Sequence, residues 1–168
     1  VKTVRRGEKA FGAVITDIPL GILSLSSYVK KACDVETRLL DFNVEINKRE
    51  SFDYPSFTEF YAECLTVDAN REYSPAIIAL SVLFAPSYRN MLDIAETCRE
   101  LYPHALIVAG GGVPTNMYRE IFSESSSFDA LCFGEGERFL AGLAAATDRT
   151  RYLESCPVAI TPEKLGSN

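Results

Sequence analysis

Two glycine turns carry the residues best placed to meet a ligand. Gly110-Gly111-Gly112 and Gly134-Glu135-Gly136-Glu137 each directly follow a short apolar run within Leu106–Glu137. Residues without a Cβ permit positive φ and let a flat group or a sugar-phosphate lie against backbone. A tight strand-to-helix turn explains a glycine run equally well, and the first turn lacks the GxGxxG spacing of a dinucleotide fingerprint. At the second turn Glu135 and Glu137 fall at a helix start, where carboxylates complement the macrodipole and accept from free N–H groups or from ligand hydroxyls. Helix capping alone accounts for them too. Ser81-Val82-Leu83 closes the most continuous apolar run, Ala76–Val82. The Ser81 hydroxyl is expected to face a crevice at that strand's end, although serine is also an ordinary turn former.

Other chemistry is excluded by what the chain lacks. Its five cysteines are nowhere closer than 24 positions (Cys132 to Cys156), so no CxxC or CxxxCxxC exists to hold zinc or an iron–sulfur cluster. They read as reduced core thiols. The single histidine, His104, stands just before the run Ala105–Ala109 and reads as a turn or surface residue. No catalytic residue and no metal ligand is assigned. A net charge of −6 argues against nucleic acid, whose binding rests on clustered Lys and Arg. No apolar run approaches the ~20 residues of a membrane span. The basic start, Lys2 to Lys9, leads into a run too short for a signal peptide. The expected location is cytoplasmic, and the expected partner is a small molecule or another protein.

The elements that must position these residues follow from periodicity. Ala10–Thr16 reads as a buried strand, Gly21–Ala32 as a helix, and Val35–Phe42 as a second strand followed by a polar connection, Asn43–Tyr54. Ser56 to Glu59 has the form of a capping box for a helix over Ser56–Val67. Ala76–Val82 is the expected central strand, Tyr88–Leu101 a helix and Ala105–Ala109 a strand. Pro114–Ser123 is expected as a short helix, Ala130–Phe133 as a strand and Gly136–Ala146 as a helix. Strands alternating with helices imply a doubly wound α/β domain with a five-stranded parallel sheet, order 2-1-3-4-5. That arrangement puts Asp17–Gly21, Ser81–Ser87, Gly110–Thr115 and Gly134–Glu137 on one rim, where such sheets bind ligands. The domain is expected to span 1–146 and a connector or tail 147–168, with an irregular end at Thr161–Asn168. That tail, together with the absence of Met at position 1, implies a piece of something longer.

Taken together, the motifs carry a resemblance. Ser81-Val82-Leu83, 26 residues (84–109) and then Gly110-Gly111 resemble the SxL…GG half of the cobalamin-binding signature. IPLGILSLSSYVKK at Ile18–Lys31 is similar to the PPLGLxYLAxYL segment of cobalamin-binding domains that precede a radical S-adenosylmethionine barrel. GGGVPTNMYREIF…FDALCFGEGERFL is similar to their GGPHPTxxPEEIL…DxVxxGEGE segment. The resemblance covers roughly residues 10–146. It implies a Rossmann-like cobalamin-binding fold in which Ser81 bonds the buried benzimidazole and Leu83 lines the channel of the nucleotide tail. Gly110 and Gly111 let the tail pass, with Gly112, Pro114 and Thr115 at the channel mouth, and Gly134, Glu135 and Gly136 touch its ribose and phosphate. Ile18, Pro19, Leu20 and Gly21 lie under the ring, and Val82 belongs to the SxL segment.

Two departures shape the expected chemistry. Where the methionine-synthase type carries DxHxxG, this chain reads DIPLG, so the resemblance implies base-off cobalamin without a protein His ligand; Asp17, Tyr88 or a water remains open as a lower ligand. The iron–sulfur cluster and S-adenosylmethionine belong to a radical S-adenosylmethionine barrel that this chain lacks, on the same polypeptide or a partner chain. The parent activity implied is that of a methyltransferase or a cyclase-like relative. The alternative is an interaction or regulatory domain that keeps the fold without the ligand.

Overall fold

A computed structural model describes residues 2–6, 9–14, 18–67 and 73–166, the first two segments by backbone alone. Lys2–Arg6 (β1) and Lys9–Val14 (β2) form an antiparallel hairpin of their own. Among the described residues the main sheet has four strands in the order β3 (Ile77–Ser81), β4 (Leu106–Gly110), β5 (Ala130–Cys132) and β6 (Ala159–Ile160). β3 and β4 pair in parallel from Ile77↔Leu106 to Ser81↔Gly110. β4 and β5 also pair in parallel, whereas β6 is antiparallel to β5 through Leu131↔Ile160.

Strand periodicity divides the core between two faces. Ile107, Ala109 and Leu131 point to one face, with Met91, Leu92, Ala95 and Cys98 of α4 (Tyr88–Leu101). The same face is covered by α5 (Gly112–Asn116) and α6 (Tyr118–Glu124), through Val113 and Ile121. Val108, Ala130 and Cys132 point the other way, onto Phe139 and Leu143 of α7 (Glu137–Ala145) and Leu153 of α8 (Arg149–Ser155). Burial on both faces is why these strands read as continuous apolar runs. Each fully buried Ile, Leu or Met contributes about 1.5–3 kcal/mol. α1 (Leu20–Ala32) lies against α7, where the Cys33 thiol donates to the Ala141 carbonyl at 3.3 Å. α3 (Phe57–Thr66), capped by Ser56, packs on α4. With α2 (Phe42–Lys48) it encloses a separate cluster of Phe52, Phe60, Tyr61 and Cys64.

Several expectations are corrected. Among the described residues the sheet has four strands rather than five, and one of them is antiparallel. The run expected as the first strand pairs instead with β1, Arg6 opposite Lys9 across a two-residue connection. Closing so short a loop costs little entropy, whereas reaching the sheet requires long-range closure. Residues Val35–Leu40 have no regular secondary structure and join no ladder among the described residues, since the strand expected beside them lies in the hairpin. The connection Asn43–Tyr54 contains most of α2, because the Asp41 carboxylate accepts from the amides of Asn43 (2.8 Å) and Val44 and starts a helix there. The helix expected over Pro114–Ser123 is two, separated at Met117, whose φ of −123° leaves the helical region. Nor is Thr161–Asn168 irregular as far as it is described, since Pro162–Gly166 is helical (α9). Lys164 Nζ donates to the carbonyls of Leu153, Cys156 and Ala159 at 2.7–2.9 Å, which satisfies the end of α8.

The amino end of the sheet is held by one ion pair. Arg99 Nη2 on α4 meets Asp129 Oδ2 at 2.6 Å, and the same oxygen accepts from the Ile107 amide at 2.7 Å. Arg99 also donates to the carbonyls of Ala105 and Ser127. Asp129→Ala strands these donors and is expected to lower stability in urea denaturation by about 2 kcal/mol. A loss under about 0.5 kcal/mol would place this cluster among ordinary surface pairs.

Candidate functional site

The carboxyl ends of β3, β4 and β5 form a rim on which both glycine turns meet. Val82 N donates to the Gly110 carbonyl at 2.9 Å, and Val113 N returns to the Val82 carbonyl at 3.2 Å. The turn after β4 is thereby folded onto the end of β3. That approach is possible only without side chains: a Cβ on Gly111 would lie 2.5 Å from the Val82 carbonyl oxygen, and one on Gly112 2.7 Å from that of Leu83. Gly111 also has φ +108°, a region that L side chains rarely adopt. Gly110 differs, since its Cβ would meet only Cys132 Cβ at an ordinary 3.6 Å. At the second turn Gly134 has φ +82° with open space where its Cβ would be. Its amide donates to Thr115 Oγ1 at 3.1 Å.

A cavity of about 550 Å³ opens between these turns and α1. Its walls are Ile22, Leu25 and Ser26 of α1, the segment Val35–Leu40, Ile77, Ala79 and Ser81 along the outer edge of β3, and Val108. It continues down β3 to Ala76 and Arg149 at the amino end. Within it the hydroxyls of Ser26 and Thr37 are 2.6 Å apart, a pair that sequence reading missed. The signal was available, since Ser26 shares a helical face with Ile22 and Val29, and Thr37 shares one strand face with Val35. Arg149 was missed as well. Its Nε is buried with no hydrogen-bond partner among the described residues.

Of the residues singled out from sequence, Gly21, Ser81, Gly110, Gly111, Gly134, Glu135 and Gly136 line this cavity. Ile18, Pro19 and Leu20 stand at the head of α1, with Ile18 and Leu20 exposed on the rim. Leu83 is 64% exposed and Val82 only 7%, the latter facing the α4-side core. Neither lines the cavity. Gly112, Pro114 and Thr115 belong to the turn and α5 that brace it. Asp17 lies outside the described residues, and Tyr88 packs against the α4-side core. His104 is exposed in the turn before β4, at the opposite end from Ser81 and Gly110.

Burial pushes the Cys132 thiol up to about 11, so at neutral pH it stays a neutral apolar wall beside Gly110 rather than a thiolate. No group of three His, Cys, Asp or Glu able to hold a metal ion occurs among the described residues. None of their helices is long and apolar enough to cross a membrane.

A family model described as the B12 binding domain matches residues 16–144. The chain belongs to the B12-binding domain family. A relative in Cereibacter sphaeroides, anaerobic magnesium-protoporphyrin IX monomethyl ester cyclase, is 28% identical over 100 residues. The match covers 60% of this chain and 16% of that enzyme, so the chain corresponds to a small part of it. No solved structure matches. At about 550 Å³ the cavity falls within the usual range of small-molecule sites, about 300–1,000 Å³. Its walls combine apolar side chains with hydroxyls of Ser26, Thr37 and Ser81 and the charged Glu36, Glu135, Glu137 and Arg149, a mixture that fits an aromatic base carried on a sugar-phosphate.

The glycines separate fold from binding. Gly111→Ala is expected to cost roughly 2 kcal/mol or more, from the left-handed φ together with the Val82 clash. Gly110→Ala should change stability by no more than about 0.5 kcal/mol, since its Cβ meets only an ordinary contact. Equal thermal shifts for the two variants would contradict this geometry.

Proposed function

We propose that this B12-binding domain holds cobalamin base-off, with the nucleotide tail in the cavity beneath the two glycine turns. The carrying observation is the cavity itself, which runs from the rim into the domain beside Ser81, Gly110 and Gly134. In this reading Ser81 donates to or accepts from the benzimidazole, and Gly110 and Gly111 supply a wall that the tail can touch. Gly134, Glu135 and Gly136 meet the ribose and phosphate, and Ile18, Pro19, Leu20 and Gly21 lie under the ring with Leu83 at its edge. Gly112, Pro114 and Thr115 form the mouth. The exposed apolar rim supports this assignment, because a corrin ring laid across it removes Ile18, Leu20 and Leu83 from water.

Bound cobalamin supplies a cobalt centre able to carry an organic group or an electron. The chain's own residues hold the tail away from that centre. His104, the one histidine of this sequence, stands at the other end of the sheet and so would not serve as a ligand to the cobalt. Radical generation would fall to a radical S-adenosylmethionine barrel bearing the iron–sulfur cluster and S-adenosylmethionine, on the same polypeptide or a partner chain. The match to a small part of a much longer cyclase supports that division of labour. Methyl transfer and ring closure are the two reaction classes proposed for the assembled enzyme.

A second reading, a regulatory or interaction domain without ligand, is favoured by one observation. Gly111 and Gly112 are required by the carbonyls of Val82 and Leu83 whether or not a cofactor binds. Desalting after incubation with hydroxocobalamin decides between the two. The cobalamin reading expects visible absorbance retained near one equivalent at micromolar cofactor, and retention at least about tenfold weaker in Ser81→Leu and Gly110→Val. Colourless wild-type protein would favour the second reading. Unchanged retention in both variants would remove the tail from this cavity.

A further inference from the structure

The two turns that frame the cavity belong to different crossovers, and the sheet does not hold them together. The β4–β5 ladder ends at Ala109↔Leu131, short of both Gly111 and Gly134. Gly134 meets nothing within 4 Å of its Cβ position, so side-chain packing at that point does not set where its turn lies. Thr115 hydrogen-bonds to both turns. Thr115 on α5 donates its backbone N–H to the Gly111 carbonyl at 3.1 Å, and its Oγ1 accepts from the Gly134 amide at 3.1 Å.

We infer that Thr115 is a positioning residue that clasps the two glycine turns and so fixes the gap through which the nucleotide tail enters. This rests on the cobalamin reading, but it moves Thr115 from a lining residue at the mouth to the part that sets the mouth's width. The backbone half of the clasp survives any substitution other than proline. The side-chain half needs an acceptor oxygen on Cβ: serine supplies it, whereas valine has nearly the same shape without it. The Gly134 turn is exposed, so water satisfies its amide once the clasp is lost. What disappears is the fixed position rather than the fold.

The test compares wild type, Thr115→Val and Thr115→Ser by two readouts. The first is hydrogen exchange at the Gly134 amide in the ligand-free protein. The second is affinity for cobalamin and for cobinamide, a corrinoid ring lacking the nucleotide tail. Thr115→Val is expected to speed Gly134 exchange and to weaken cobalamin binding about 2- to 10-fold, the worth of one ordinary hydrogen bond. Cobinamide affinity and Tm should stay near wild type, and Thr115→Ser should restore both the exchange rate and the cobalamin affinity. Unchanged Gly134 exchange in Thr115→Val overturns the clasp. Equal loss of cobalamin and cobinamide, or failure of serine to rescue, overturns its role at the tail's entrance. Wild-type protein that binds neither corrinoid defeats the cobalamin reading instead, and the exchange measurement then decides the clasp by itself.

Discussion

The rim depends on a backbone approach that leaves no room for side chains. Gly111 and Gly112 come so close to the carbonyls of Val82 and Leu83 that Cβ atoms there would overlap them. Because they have none, the turn after β4 folds down onto the end of β3, Val113 N reaches the Val82 carbonyl, and α5 starts at once. Ser81 and Gly110 end side by side as a consequence of that register. The opening of the cavity, the placement of Thr115 and the reach of Thr115 to the second turn all follow. Proteins that bring a ligand against backbone commonly spend glycines in this way. Here most of that demand comes from the fold, and Gly110 alone among the three has space beside it.

Much of this was legible in the sequence where burial imposes a period. Tyr88–Leu101 is found as expected because Met91, Ala95 and Cys98 form one stripe, and the Ser56 cap is found because its hydroxyl has an amide to accept from. β3, β4 and β5 are found to within a residue or so, since each is a short continuous apolar run, with β4 and β5 largely buried. The rest depends on competition that local pattern does not encode. Lys9–Val14 has the composition of a buried strand, but Lys2–Arg6 is separated from it by only two residues and pairs with it instead. Val35–Leu40 alternates like a strand and finds no partner among the described residues. The tail conceals β6 because a two-residue strand has too few positions to declare a period.

The candidate site shows the same division. Its glycines were visible as types, but whether each serves the fold or a ligand was not, because that turns on distances to Val82, Leu83 and Cys132. Ser26 and Thr37 lie 11 positions apart, but Arg149 lies far from both in sequence, so only the assembled chain places its buried Nε in the same cavity. What the domain withholds matters as much for the chemistry. Among the described residues the cavity presents a neutral Cys132 thiol, and His104 stands at the other end of the sheet.

The most direct measurement is the electron paramagnetic resonance spectrum of the domain loaded with cob(II)alamin. Nitrogen-14 splitting on the cobalt lines appears when an imidazole or benzimidazole nitrogen occupies the lower axial position. With the tail held in the cavity and His104 at the far end of the sheet, the spectrum should lack that triplet splitting. A resolved triplet would show a nitrogen on cobalt and would contradict a base-off cofactor held without a protein imidazole.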